Sequence, residues 1–177
     1  MKIFDRIPEI ITLRLRLRAP AEADAPRIAQ LANDRDIARM TTGIPFPYTL
    51  DHGHAFLSMV RAADPEVDLP LVIEHKTHGP VGVVGLHKRE QPWPEVGYWL
   101  GRPCWGQGIA TEAAAAMVHW GHAVRGLRAI SSGHFADNPT SGRVLEKLDF
   151  LYTGQVTQRL SYGRGVSAPT RMMIRLG

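Results

Sequence analysis

One cysteine, Cys104, stands in 177 residues. No disulfide can therefore form within the chain, and no cysteine-based zinc site is available. No apolar run approaches the roughly 18 residues that a helical membrane span needs, so no membrane partner is expected. Aromatic residues make up only 7% of the chain, with no cluster resembling the stacking platforms of single-strand nucleic-acid binders. Low-complexity tracts, internal repeats and long linkers are lacking too, so a single domain over residues 1–177 is expected. Asp5, Arg6 and Pro8 break up any secretory apolar region near the N-terminus, so no signal peptide is expected. A lone cysteine fits a reducing, cytoplasmic compartment.

What is present is a basic balance, with formal net charge +4 and a sequence pI of about 9.6. Such a balance favours anionic ligands, phosphates and nucleic acids alike, without choosing between them. Residues 10–18 alternate strictly from Leu13 onward and predict a half-buried strand, leucines inward and Arg14, Arg16 and Arg18 outward. Residues 21–32 predict a helix with Ala25, Ile28, Leu31 and Ala32 on its apolar side. Pro45-Phe46-Pro47 is a loop. A second helix is expected from Thr49 to before Asp64-Pro65, with Ala55, Phe56, Met59 and Val60 inward. Strands are predicted at about 68–76 and 80–88, joined by the turn-prone Thr77-His78-Gly79-Pro80, and at 95–100. Ile109, Ala113, Met117, Trp120 and Val124 recur at helical spacing, and Gly126 supplies a stop. A strand at 128–133, a helix at 139–148 and strands at about 150–158 and 169–176 complete the order βααβββαβαββ. That order implies one α/β (α+β) domain, a mixed sheet of about seven strands flanked by about four helices.

The segment Trp105-Gly106-Gln107-Gly108-Ile109-Ala110-Thr111-Glu112 joins a strand to the strongest helix. The first helical turn offers backbone N–H groups without intrahelical partners, and the helix dipole favours negative charge there. Gly106 and Gly108 remove side chains where a pyrophosphate would approach, and Ala110 keeps the first turn open. The glycines alone are equally consistent with a tight turn. The segment lacks the Gly-Lys-Ser/Thr ending of a P-loop and the third glycine of a dinucleotide fingerprint.

In context, Val-Gly-Tyr-Trp-Leu-Gly followed by Cys-Trp-Gly-Gln-Gly-Ile-Ala-Thr-Glu-Ala resembles the GNAT acetyltransferase superfamily. About thirty residues on, Asn138-Pro139-Thr140-Ser141-Gly142-Arg143-Val144-Leu145-Glu146-Lys147-Leu148-Asp149-Phe150 resembles its second signature. The opening Leu-Arg-Leu-Arg strand and the Pro-Phe-Pro loop resemble the branch of ribosomal-protein N-terminal alanine acetyltransferases. The resemblance implies a mostly antiparallel sheet whose central strands splay apart to admit the pantetheine arm of acetyl-CoA. It implies that Val96, Gly97, Tyr98, Trp99 and Leu100 bind pantetheine, and that Asn138 contacts the cofactor near that end. It implies that Trp105, Gly106, Gln107, Gly108, Ile109, Ala110 and Thr111 hold the pyrophosphate. Ser141 matches the position proposed in this branch to protonate the departing thiolate. Two departures stand out. Trp105 replaces the usual Arg or Gln, and Asp149 replaces the glycine that suits a left-handed backbone. Tyr152 falls slightly late for the tyrosine that other members use as acid.

The resemblance implies N-acetylation of a primary amine, and the branch points to a protein or peptide N-terminus as acceptor. An α-amine with a pKa near 7.7–8.0 is roughly a fifth to a third neutral at pH 7.4, whereas lysine is about a thousandth neutral. Glu95, at the start of the strand where some superfamily members place a carboxylate, is the expected proton acceptor. His87 and His134 are weaker candidates. His119 and His122 lack the His-Glu-x-x-His pattern, so no metal site is expected. The alternatives are a small amine (polyamine, amino acid or aminoglycoside), a non-catalytic acyl-CoA sensor, and a nucleic-acid-binding module suggested by the arginine strand. Either a monomer or a homodimer is compatible with the sequence.

Overall fold

The computed structural model describes residues 7–89 and 92–177. The arginine-rich segment at the start is two strands rather than one. Strands β1 (Ile10–Ile11) and β2 (Leu15–Arg18) pair antiparallel, Ile10 opposite Leu17. Thr12 closes the turn between them, its amide donating to the Leu15 carbonyl and its hydroxyl accepting from the Leu15 amide, both at 2.9 Å. Leu13 rides on the tip, 83% exposed, which corrects its expected inward position. Alternation toward the core begins only at Leu15, where β2 gains β3 as a partner. Arg14 and Arg16 point outward as expected while the Arg18 side chain is largely covered, 16% exposed, and each ends on a carboxylate: Glu112, Glu9 with Glu74, and Asp24 with Glu74. The row of arginines is therefore neutralised along its length, which weakens the nucleic-acid alternative.

A short turn of 3-10 helix leads into α1 (Ala25–Ala32), which buries Ala25, Ile28, Leu31 and Ala32 as its spacing predicts. Helix α2 (Arg35–Arg39) has no sequence period to betray it, being five residues long. It forms because Asp34 caps it, accepting from the Asp36 amide at 2.8 Å. Helix α3 (Leu50–Ala62) starts at the Thr49 cap, yet its buried residues are Gly53 and Leu57. A Cβ on Gly53 would lie 2.9 Å from the Ala25 carbonyl oxygen, so the backbones of α1 and α3 touch there. Ala55 and Met59, expected in the core, are exposed and line a cavity instead.

Strands β3 (Asp68–His75), β4 (Gly79–His87) and β5 (Glu95–Leu100) form an antiparallel meander, with Gly79 at φ +65° in the predicted turn. Then follow α4 (Ile109–Ala123), β6 (Ala129–Phe135), α5 (Pro139–Glu146), β7 (Leu151–Ser161) and β8 (Val166–Leu176). The sheet order is β1-β2-β3-β4-β5-β6-β8-β7, antiparallel throughout except for β5 beside β6. Among the described residues, the split of the first strand makes eight strands in place of about seven, and α2 makes five α-helices in place of about four. Strand β8 starts before Pro169, which lies beyond the last β6–β8 pair, Phe135 with Thr170. The proline is thus placed where the sheet has narrowed to a hairpin.

One face of the sheet packs against α4, whose Ile109, Ala113 and Met117 are fully buried with Leu15, Leu71 and Ile130. Truncating a residue such as Met117 to Ala costs about 2–5 kcal/mol. Val124, predicted in the same stripe, is 68% exposed because α4 ends at Ala123 before the turn at Gly126. The other face carries α1, α2 and α3 over Val72, with Ile28, Ile37 and Tyr48 in the seam.

Candidate active site

Strands β5 and β6 share one register pair, Glu95 with Ser131, and diverge beyond it. The Ser132 hydroxyl donates to the Val96 carbonyl at 2.9 Å, and the β6-facing edge further along β5 has no strand partner. The gap is the splay expected of the central strands. A cavity of about 520 Å³ runs through it, lined on one side by Tyr98, Asn138 and Ser141 and on the other by Asp68, His87 and Phe56. That volume is ordinary for a small-molecule site. Of the five β5 residues singled out from the sequence, Val96, Gly97, Tyr98 and Trp99 line the cavity, and Leu100 is buried beyond it.

At the end of β5 the chain reaches the glycine loop. Gly106 and Gly108 adopt φ +73° and +75°, conformations that favour glycine. The first intrahelical bond of α4 runs from the Glu112 amide to the Gly108 carbonyl at 3.0 Å. The Ile109, Ala110 and Thr111 amides therefore open the helix without carbonyl partners, a donor set suited to a pyrophosphate. Two arginines and a tryptophan brace this loop. Arg14 reaches the Glu112 carboxylate at 2.7 Å and the Gln107 carbonyl at 3.0 Å. Trp105 donates its indole N–H to the Leu100 carbonyl at 2.8 Å, while the Arg102 guanidinium sits 5.0 Å from its ring. The departure at Trp105 is thus a bolt from loop to strand, and the unpaired donors of the loop belong to the backbone.

Asn138 caps α5, its side-chain oxygen accepting from the Ser141 amide at 3.3 Å. Ser141 is consequently not the cap, and its hydroxyl lies 3.1 Å from the Tyr98 hydroxyl. Burial pushes the Tyr98 phenol up to about 12, so it stays protonated, and its one proton is shared between the Ser141 carbonyl at 3.2 Å and the Ser141 hydroxyl. The phenol of Tyr152 instead meets His134 Nε2 at 2.9 Å. Because His134 Nδ1 lies 2.8 Å from the Phe135 carbonyl, it carries the proton and Nε2 accepts from Tyr152. That leaves Tyr152 committed to His134. Asp149 adopts φ +61°, the left-handed conformation that its place after α5 requires.

Glu95 lines the cavity, only 8% exposed, and both its oxygens accept from the Arg159 guanidinium of β7, at 2.7 and 2.6 Å. The two groups lie far apart in sequence, so nothing in the local pattern pointed to Arg159. Asp68, also unremarked in the sequence, holds the Nδ1 of His87. His119 is exposed and His122 ends on the Leu127 carbonyl at 2.7 Å, an ordinary helix-end role. Cys104 is buried in the core, and burial pushes its thiol up, which keeps it unreactive.

The acetyltransferase (GNAT) domain family model matches residues 14–151. With most of its length matched, the chain belongs to the GNAT acetyltransferase family. It is similar to the uncharacterized N-acetyltransferase p20 of Bacillus licheniformis, 26% identical over 149 residues that span 82% of this chain and 83% of that one. Its fold matches that of RimL, a ribosomal alpha-N-protein acetyltransferase in complex with coenzyme A, with TM-score 0.80, 20% identity and coverage of 96% and 98%. It matches spermidine N-acetyltransferase of Vibrio cholerae, in complex with CoA and spermine, with TM-score 0.76, 19% identity and coverage of 93% and 96%. At these identities the likeness concerns the fold, and the acceptors of the two matched enzymes differ in kind.

Proposed function

We propose that the protein transfers the acetyl group of acetyl-CoA to the α-amine of a peptide or protein N-terminus. The acetyl-CoA half of this reading rests on the β5–β6 gap leading to the glycine loop, with three helix-opening amides at its end. These features suit a pantetheine arm and a pyrophosphate in turn. The acceptor half rests on charge balance across the cavity. Its carboxylates, Asp68 and Glu95, are engaged by His87 and Arg159, and Arg89 adds a further positive charge to the lining. A polyamine carries several positive charges and calls for free carboxylates to receive those away from the reacting nitrogen. A peptide N-terminus brings one amine and an otherwise uncharged backbone, which this lining accommodates. Ser141 serves as hydrogen-bond donor to the sulfur as negative charge develops there. Its own hydroxyl is supported by Tyr98 at 3.1 Å.

The reading is tested by following CoA thiol release from acetyl-CoA with four acceptors: peptides with free α-amines, N-terminally blocked lysine peptides, spermidine, and a small monoamine with no other charge. Turnover led by the free α-amine peptides is expected. Spermidine as the preferred acceptor would overturn the assignment of the acceptor, and a small uncharged monoamine outpacing every peptide would limit it to small substrates. Binding of acetyl-CoA without release against all of them would point to an acyl-CoA sensor.

A further inference from the structure

A row of polar residues crosses the acceptor face of the sheet at one level. Asp68 of β3 stands opposite His87 of β4, and His87 stands opposite Glu95 of β5. Directly opposed residues in antiparallel strands share a face, so the three side chains rise side by side into the cavity they line. Glu95 is occupied by Arg159. His87 is occupied on one nitrogen only. Its Nδ1 meets the Asp68 carboxylate, and among the described residues its Nε2 has no hydrogen-bond partner and is not sealed from solvent.

The ring has a built seat. Two glycines, Gly85 and Gly97, are paired across β4 and β5 on the same face. A Cβ on Gly85 would stand 2.8 Å from His87 Nε2, and one on Gly97 would stand 3.6 Å from it. Both glycines thus leave room for the imidazole to lie over β4 and β5. The hydrogen bond from Nδ1–H to Asp68 fixes the tautomer and leaves the Nε2 lone pair aimed away from the carboxylate. That hydrogen bond also holds the Asp68 carboxyl below its ordinary range, so it remains an anion at neutral pH. An oriented imidazole backed by a carboxylate is the arrangement that accepts a proton from a nucleophile.

We propose that His87, positioned by Asp68, is the general base that takes the proton from the acceptor amine, an assignment that rests on the acetyl-transfer reading above. One proton of the incoming ammonium passes to His87 Nε2. The freed lone pair forms the nitrogen–carbon bond to the acetyl carbonyl, and the carbon–sulfur bond breaks with its electron pair on sulfur. A second amine proton neutralises the thiolate as CoA thiol, and the imidazolium discharges the first to solvent. In this assignment Glu95 fixes Arg159 and is not the proton acceptor.

The test compares wild type, H87Q, H87A and D68N with whichever primary amine of the acceptor panel turns over, under saturating acetyl-CoA. H87Q is expected to lose about 100-fold in kcat/KM, the lower end of general-base catalysis because an α-amine is already partly neutral. Its acetyl-CoA affinity should stay at the wild-type value and its melting temperature within a few degrees of it, because the glutamine amide can still donate to Asp68. The acidic limb of the pH profile should vanish in H87Q, and imidazole in the buffer should restore part of the H87A rate. The groups facing His87, namely Asp68, Arg89 and the Glu95–Arg159 pair, remain in that variant, as do His52 and His134 elsewhere on the wall. Independently of turnover, nitrogen-15 spectra of His87 should show Nδ1 protonated and Nε2 bare, a preference that D68N removes. An H87Q enzyme with wild-type rate and pH profile would overturn the assignment, as would a His87 protonated on Nε2. A wild type that turns over none of the amines would instead overturn the acetyl-transfer reading itself.

Discussion

Arg159 reaches from β7 to grip Glu95 of β5 with both prongs of its guanidinium, Nη1 on Oε1 at 2.7 Å and Nη2 on Oε2 at 2.6 Å. The pair spans the gap between the central strand and the outer hairpin, with side-chain exposures of 22% and 10%. Its geometry satisfies two charges that would otherwise be stranded in a largely buried wall. Removing either partner leaves the other buried and uncompensated, which costs about 3–5 kcal/mol. E95Q and R159M are each expected to lower the melting temperature by roughly 6–20 °C in a domain near this size. The double variant should fall by less than the sum, because neither orphan remains. Differential scanning calorimetry of the four proteins measures the coupling. Wild-type melting of E95Q together with a collapsed turnover would make Glu95 a participant in the chemistry.

Ser141 and Tyr98 make a second pair, joined hydroxyl to hydroxyl across the gap at 3.1 Å. A donor placed where charge develops contributes most in the transition state, so its loss lowers kcat more than it raises KM. S141A is expected to lose about 100-fold in kcat, the lower end for removing one such donor, with acetyl-CoA affinity nearly unchanged. Y98F should lose about fivefold, since it removes the phenol that holds Ser141 at both its carbonyl, 3.2 Å away, and its hydroxyl. Steady-state kinetics with acetyl-CoA varied separates these effects. A loss confined to the acetyl-CoA KM in both variants would reduce the pair to a binding contact.

Much of the fold was legible because it is written in local periods. The α4 stripe from Ile109 to Met117, the β4 turn at Gly79 and the exact span of β5 all appear as spacing and glycine placement. Leu13 and Val124 fit their periods but fall just outside the elements, and a period alone does not say where an element ends. On α3, Ala55 and Met59 are apolar because they face a cavity, and the sequence has no mark that separates cavity wall from core. The glycine loop was visible through Gly106 and Gly108. Arg159, 64 positions from Glu95, was not, because register decides which distant side chains meet. Asp68 and His87 lie 19 positions apart on paired strands, and only the β3–β4 register brings them opposite.

The glycine loop gives a prediction about affinity. Gly108 begins α4 at φ +75°, and any side chain there must adopt a left-handed backbone that costs roughly 1–2 kcal/mol. The chain can relieve that strain by rotating the peptide units that open the helix, which misdirects the Ile109 and Ala110 amides. G108V is expected to weaken acetyl-CoA binding about tenfold or more while leaving the core of α4 intact. Isothermal titration with acetyl-CoA and with coenzyme A reads this directly. Equal affinity in G108V and wild type would place the pyrophosphate elsewhere.

Asp34 joins the cap of α2 to the loop that precedes α4. Its carboxylate receives the Asp36 amide at 2.8 Å and the Arg102 guanidinium at 2.7 and 2.9 Å. The Arg102 hydrogen bond, foremost, holds the Asp34 carboxyl below its ordinary value, with the Asp36 and Ile37 amides adding to it and partial burial opposing. A folded-state value below the unfolded one stabilises the protein above the unfolded pKa of about 3.9, and that stability disappears as pH falls through the folded value. Half of the Arg102 side chain is exposed, so solvent screens the ion-pair share. D34A is expected to lose about 1 kcal/mol at pH 7, chiefly through the cap. D34N retains a capping oxygen and should lose less, its deficit flat from pH 8 to about 5 and shrinking below pH 4. Urea unfolding at each pH follows both variants. A D34N deficit that stays constant down to pH 3 would mean that the charge on Asp34 adds nothing to the fold, leaving its oxygen as the whole contribution.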